Sequence, residues 1–276
     1  MPLLPGESSP NERVLQRRSP RTFFLLVFAL SIPFWILGAM VPVQLLPGLP
    51  LSSLAFICPM LAAMILIYRE TKAPSVPDFL MRFLDYRRIK GKRWYATTVL
   101  LMPAIMLLSY LLIRLSGIRL PPSSFPAPAA LATIVPFFIA AAGEELGWSG
   151  YVTDALQWRW NALTSALILG IIWAIWHIVP LMETNRSPTW IICWFLGTVS
   201  FRVILVWLYQ NTGKSVFATS FLHASSNVCW VLTATYFNPL INGMALAFVA
   251  IVITFYWGPR TFLRRHRRLP GPVTTD

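Results

Sequence analysis

The stretch Phe23-Phe-Leu-Leu-Val-Phe-Ala-Leu-Ser-Ile-Pro-Phe-Trp-Ile-Leu-Gly-Ala-Met-Val41 carries no charged side chain. As a helix rising about 1.5 Å per residue it covers roughly 28 Å, close to the ~30 Å hydrocarbon thickness of a bilayer. It is too long for the apolar core of a secretory signal and has no Ala-x-Ala-like exit. The pair Arg17-Arg18 upstream is followed by Pro20 and Arg21, where a twin-arginine signal would carry apolar residues. The stretch therefore reads as a first membrane span. Working outward, comparable apolar runs recur at 51–67, 95–116, 129–153, 161–182, 189–209, 215–235 and 239–257. The expectation is an all-α, polytopic bundle of eight transmembrane helices occupying residues 23–257, between an N-terminal tail at 1–22 and a basic C-terminal tail at 258–276. No internal repeat is visible, so an inverted-repeat transporter gains no support.

Composition agrees. Hydrophobic residues make up 56% of the 276-residue chain and charged residues 12%, with a mean hydropathy of +0.62. A soluble domain carries about 25% charged residues, so the spans leave no room for one. A net charge of +13 would suit nucleic acid, but the basic residues sit in the connections between apolar runs, as membrane topology requires. If there are eight spans, 19 of the 23 Lys and Arg fall on one side, three (Arg114, Arg119 and Arg186) on or near the other, and Arg202 stays inside a span. That asymmetry places both termini in the cytoplasm. The connection 68–94 alone holds eight basic residues. Within it, Val76 to Ile89 fits either an amphipathic helix on the cytoplasmic leaflet or a plain basic loop. Short loops favour a bacterial inner membrane, with the endoplasmic reticulum as the other candidate. Cys58, Cys193 and Cys229 lie in apolar runs without a CxxC spacing and read as packing thiols.

Ionisable groups inside a bilayer cost several kcal/mol, about 2.5–3.5 on insertion scales, and so mark candidate sites. Here they are Glu144, Glu145, His177, Arg202 and His223, with Asn227 as a buried amide. The glutamates stand in Ala140-Ala-Ala-Gly-Glu-Glu-Leu-Gly-Trp-Ser-Gly150. Neighbours on a helix point about 100° apart, so one carboxylate can face a cavity while the other meets a neighbouring helix. His177 closes Trp173-Ala-Ile-Trp-His177, and His223-Ala-Ser-Ser-Asn227 puts an imidazole and a carboxamide on one helix face. Such a pair can donate to an oxyanion, and Glu plus two His is also a zinc ligand set.

These strings, Glu-Glu-x-x-x-x at 144–149, Trp-x-x-x-His at 173–177 and His-x-x-x-Asn at 223–227, resemble the EExxxR, FxxxH and HxxxN/B motifs of the CAAX prenyl endopeptidase and bacteriocin-processing (ABI, CPBP) family. The resemblance spans roughly residues 135–235. It implies an intramembrane endopeptidase opening to the cytoplasm and acting on membrane-associated peptides or protein C-terminal tails. In that reading Glu144 activates water with help from His177, and His223 and Asn227 stabilise the oxyanion. Glu144, His177 and His223 are the candidate ligands if zinc takes part, and a glutamate-type mechanism fits the same set. Two positions depart from the motifs: Trp173 replaces Phe, and Ser149 replaces the arginine that would partner the glutamates. Arg202, from another span, is the candidate substitute for that charge. The string Gly147-Trp-Ser-Gly150 also admits a Ser149–His dyad, although that leaves both glutamates unexplained. The other function classes are a non-catalytic membrane protein of the same fold (bacteriocin immunity or substrate binding) and a proton-coupled transporter.

Overall fold

The computed structural model describes residues 15–16, 18–46, 48–71, 75–118 and 127–263. These residues are helical apart from turns and one small antiparallel hairpin, β1 (Gln44–Leu46) and β2 (Leu49–Pro50). Helix α1 (Pro20–Met40) precedes the hairpin. A 3-10 turn (Leu51–Ile57) then leads into α2 (Cys58–Thr71). The basic connection holds α3 (Ser75–Leu80) and two further 3-10 turns, Met81–Leu84 and Tyr86–Arg88. Next come α4 (Lys92–Leu115), α5 (Ala127–Ala132), α6 (Ile134–Gly147), a π turn (Trp148–Val152) and α7 (Thr153–Gln157). The chain continues with α8 (Ala162–Trp176), α9 (Ile178–Met182), α10 (Pro188–Asn211), α11 (Val216–Thr233) and α12 (Pro239–Trp257).

Caps set several boundaries. Ser19 accepts from the Thr22 N–H and Pro20 opens the first turn, so α1 begins inside the expected N-terminal tail. Ser187 with Pro188, and Asn238 with Pro239, start α10 and α12 in the same way. The C-terminal segment is not all tail: the carbonyls of Pro259 and Arg260 accept from Leu163 and Ala162, and Phe262 is fully buried. Residues 264–276, together with Arg13, Arg17, Lys72 and Arg119 of the charge tally, lie outside the described residues.

Among the described residues, five helices are long and apolar enough to cross a membrane: Pro20–Met40, Leu51–Glu70, Lys92–Leu115, Pro188–Asn211 and Pro239–Trp257. Their outer faces are apolar, with Phe255 87% and Leu115 84% exposed, as a lipid-facing surface requires. The other three expected spans fall short of that standard, and they are the ones that carry the motif residues. The 129–153 stretch holds two glutamates and a π turn, α8 stops after 15 residues, and α11 spends its length on His, Asn, Ser and Thr. Two of these interruptions have a proline behind them. Pro180 lacks an N–H for the Trp176 carbonyl, and the helix breaks at His177; Pro136 stands in the same relation to Ala132, where α5 ends. Pro33 and Pro103 sit in helices that continue through them.

Small residues let the helices approach closely. A Cβ on Gly147 would lie 2.4 Å from the Pro59 carbonyl oxygen, which fixes the crossing of α6 and α2. Part of the basic connection packs inward, with Phe79 and Ile89 buried, while Met81, Leu84 and Tyr86 stay exposed. Arg82 donates to the carbonyls of Gly150 and Lys214 at 2.6 and 2.9 Å and to the Tyr209 hydroxyl at 3.0 Å. Beside it, Asp85 accepts from the Ser215 hydroxyl and the Phe217 N–H, and Tyr151 donates to Glu70, which also pairs with Arg18. This end of the bundle is therefore closed by a polar network over packed aromatic rings.

Candidate active site

Three helical segments bring the motif residues to one cavity of roughly 440 Å³. Glu144 comes from α6, His177 from the break between α8 and α9, and His223 and Asn227 from successive turns of α11; all four line the cavity. The rest of the lining is largely apolar, with Met102, Phe137, Trp176, Trp194 and Trp230 among its residues. Such a pocket, mainly hydrophobic with a few converging polar groups, suits a bound organic segment.

The adjacent carboxylates occupy different environments. Glu144 Oε2 accepts from Trp173 Nε1 at 2.7 Å while the side chain reaches the cavity. Glu145 is fully buried and absent from the lining. Its Oε2 accepts from Arg202 Nη1 at 2.9 Å and from Ser149 Oγ at 2.5 Å, and its Oε1 meets His223 Nδ1 at 3.1 Å. Both members of the Glu145–Arg202 ion pair have no solvent exposure. Arg202 Nε and Nη2 have no hydrogen-bond partner among the described residues, but the guanidinium lies 3.9 Å from the centre of the Trp173 ring. A desolvated cation over an indole face is held by about 2 kcal/mol or more.

Trp173 is thus the common neighbour. It holds Glu144 through its N–H, covers Arg202 with its face, and meets the rings of His177 and His223 edge-on at 5.1 and 5.2 Å. The motif has Phe at this position, which could make none of the polar contact. The available signal was the indole N–H of Trp173, which needs a partner when buried. Its carbonyl also contacts His177 Nδ1 at 2.8 Å. A carbonyl only accepts, so Nδ1 carries the proton, and Nε2 of a neutral ring is an acceptor. His223 likewise donates through Nδ1 to Glu145, which leaves Nε2 as its second nitrogen.

Ser149 is 1% exposed, bonds to Glu145 and does not line the cavity, so its hydroxyl is not placed as a nucleophile for either histidine. Among the described residues, no group of three or more His, Cys, Asp and Glu is arranged to hold a metal ion. Glu144, His177 and His223, the candidate zinc ligands, all line the one cavity. The cysteines are free; Cys58 and Cys229 are buried and Cys193 is partly exposed.

A model of the type II CAAX prenyl endopeptidase Rce1-like family matches residues 126–229, the segment that contains all three motifs. The chain is also 29% identical to a CAAX prenyl protease 2 from Methanococcus maripaludis, over an aligned length of 263 that covers 86% of this chain and 94% of that protein. The resemblance carried by the motifs therefore extends over most of the molecule.

Proposed function

We take as premise that the chain belongs to the type II CAAX prenyl endopeptidase family, and propose that it is an intramembrane endopeptidase with eight spans and both termini in the cytoplasm. Its proposed substrates are membrane-associated peptides or protein C-terminal tails. The prenylated tail in the relative's name is one member of that class. The observation that carries the reading is the convergence of Glu144, His177, His223 and Asn227, from three separate segments, on one largely apolar cavity.

In this mechanism Glu144, steadied at Oε2 by Trp173, accepts a proton from water as the water oxygen attacks the scissile carbonyl carbon. His177 Nε2 orients that water by accepting its second O–H. The carbonyl oxygen becomes an oxyanion. Asn227 donates to it through its amide, which needs no protonation, and His223 adds a donor when its ring is an imidazolium held against Glu145. Collapse of the intermediate breaks the C–N bond, and Glu144 returns the proton to the leaving amine. Glu145, Arg202 and Ser149 are positioning residues that fix His223 and Trp173. No step passes through a metal ion.

The test is cleavage of an apolar peptide by the purified chain in proteoliposomes. Wild type cleaves and Glu144→Gln does not. Binding that persists in both, with cleavage in neither, would move the assignment to a non-catalytic substrate-binding protein of the same fold. Transport has no specific observation in its favour.

A further inference from the structure

The segment 81–93 carries six Lys and Arg against one acid, Asp85. Arg82 is turned to the interior, where it donates to Gly150, Lys214 and Tyr209. The other five, Arg87, Arg88, Lys90, Lys92 and Arg93, are exposed. Arg88 Nε stands 3.4 Å from Asp85 Oδ2. Arg87, Lys90, Lys92 and Arg93 have no carboxylate partner among the described residues. Like charges held this close repel one another, and a fixed cluster of them favours an anion that can lie between them.

The cluster is fixed by its surroundings. Asp85 accepts from Ser215 Oγ at 2.8 Å and from the Phe217 N–H at 3.1 Å, and Tyr95 donates to the Tyr86 carbonyl at 2.9 Å. The Arg88 and Ile89 N–H groups close the turn onto the carbonyls of Asp85 and Tyr86. A Cβ on Gly213 would come within 2.8 Å of the Arg88 carbonyl oxygen, so the turn lies directly on the α10–α11 link. Between them is an open concavity of roughly 550 Å³, whose charged lining is Arg87, Arg88, Lys90 and Asp85. Asp85 is already engaged by its two donors and by Arg88, so the concavity is net positive. The membrane-crossing helix α4 begins at Lys92, which puts the residues just ahead of it at headgroup level. Leu84 and Tyr86, both exposed, add apolar surface to the same lining.

We propose that this concavity binds the headgroup of an anionic phospholipid, with the phosphate among Arg87, Arg88 and Lys90 and the apolar part of the lipid against Leu84 and Tyr86. A free phosphate would meet the cations and leave Leu84 and Tyr86 in water, whereas a phospholipid meets both kinds of group. A tyrosine ring at headgroup level is suited to that boundary, with an apolar body and a polar tip. The site is separate from the cavity of Glu144, His177, His223 and Asn227, with which it shares no lining residue. It rests on α4 crossing the membrane and is independent of whether a bond is cut.

The experiment uses the full chain in dodecyl maltoside micelles and two probes with the same fluorescent acyl chain, phosphatidylglycerol and phosphatidylcholine. Anisotropy titrations are expected to show phosphatidylglycerol bound roughly 10-fold more tightly or better. Each cation beside an anionic headgroup contributes about fivefold, so Arg87→Gln combined with Lys90→Gln should weaken phosphatidylglycerol about 30-fold and leave phosphatidylcholine unchanged. Arg114→Gln, at the far end of α4, removes a charge elsewhere and should change neither. Equal affinity for the two lipids overturns the proposal, and so does a preference that survives the double change. Displacement of the lipid by millimolar inorganic phosphate would assign the site to a soluble anion and overturns it as well. Should the double variant fail to fold, Lys90→Gln alone is expected to weaken phosphatidylglycerol about fivefold, and an unchanged affinity there counts against the site. A chain that prefers phosphatidylglycerol yet cuts no peptide refutes the protease reading alone. One that cuts and shows no lipid preference refutes the lipid site alone.

Discussion

Arg202 Nη1 and Glu145 Oε2 meet at 2.9 Å on helices α10 and α6, with neither side chain exposed. Removing one partner of such a pair strands a buried charge, which costs about 3–5 kcal/mol. Arg202→Met is therefore expected to lower the unfolding midpoint sharply in detergent. Pairing it with Glu145→Gln should recover much of the loss, and the double-mutant cycle measures the coupling. Arg202→Met with an unchanged melt would show that the pair carries no structural weight.

The two glutamates should separate by assay. Glu144→Gln keeps an amide oxygen for Trp173 Nε1, so stability should stay within about 1 kcal/mol while cleavage falls by 10²-fold or more, the usual scale for a general base. Glu145→Gln leaves Arg202 without its counter-charge, so it should lose stability first and activity in consequence. Thermal unfolding and turnover measured on both variants check the assignment. Equal stability losses would contradict it.

Trp173→Phe keeps the aromatic body and removes the hydrogen bond to Glu144. One such bond to a charged group contributes about 1.5–3 kcal/mol, so kcat is expected to fall by roughly 10- to 150-fold. KM should change little, because the wall of the cavity remains aromatic. A rise in KM at constant kcat would mean that Trp173 binds substrate rather than holding the base.

Much of this was legible in the sequence because membrane helices announce themselves by length and apolarity, and because a charge inside one is rare enough to single out. Arg202 was identifiable for that reason, and so was the division of labour between adjacent glutamates. What stayed hidden depends on tertiary placement. Arg82 looks like one more cation in a basic loop, yet it turns inward to three oxygen atoms. The breaks at Thr133 and His177 follow from Pro136 and Pro180, but Pro33 and Pro103 show that a proline alone does not dictate a break. Which part of the bundle is left hollow cannot be read from helical periodicity, which gives the buried face of a helix and not the depth at which packing stops.

Metal dependence has a direct check. The candidate ligands share a cavity without grouping around one ion, so cleavage by the purified chain is expected to survive prolonged chelation. Activity lost to the chelator and restored by zinc would overturn the metal-free mechanism and make Glu144, His177 and His223 the first residues to substitute.

The last prediction concerns the missing arginine. Ser149 Oγ, one turn after Glu145 on the same helical segment, and Arg202 Nη1, from α10, both donate to the same atom, Glu145 Oε2. The charge that the resembled motif carries at position 149 is thus delivered here from α10, and serine leaves room for it. Ser149→Arg alone should place two cations on one buried carboxylate in a site where Ser149 is already 1% exposed, so the protein should lose several kcal/mol or fail to fold. Ser149→Arg combined with Arg202→Leu relocates the charge and frees the volume, and it should be markedly more stable than either single change. His223 should keep its Glu145 contact in the double variant, so cleavage should return with stability. A double variant as unstable as the sum of the two singles would mean that positions 149 and 202 do not share the task of neutralising Glu145.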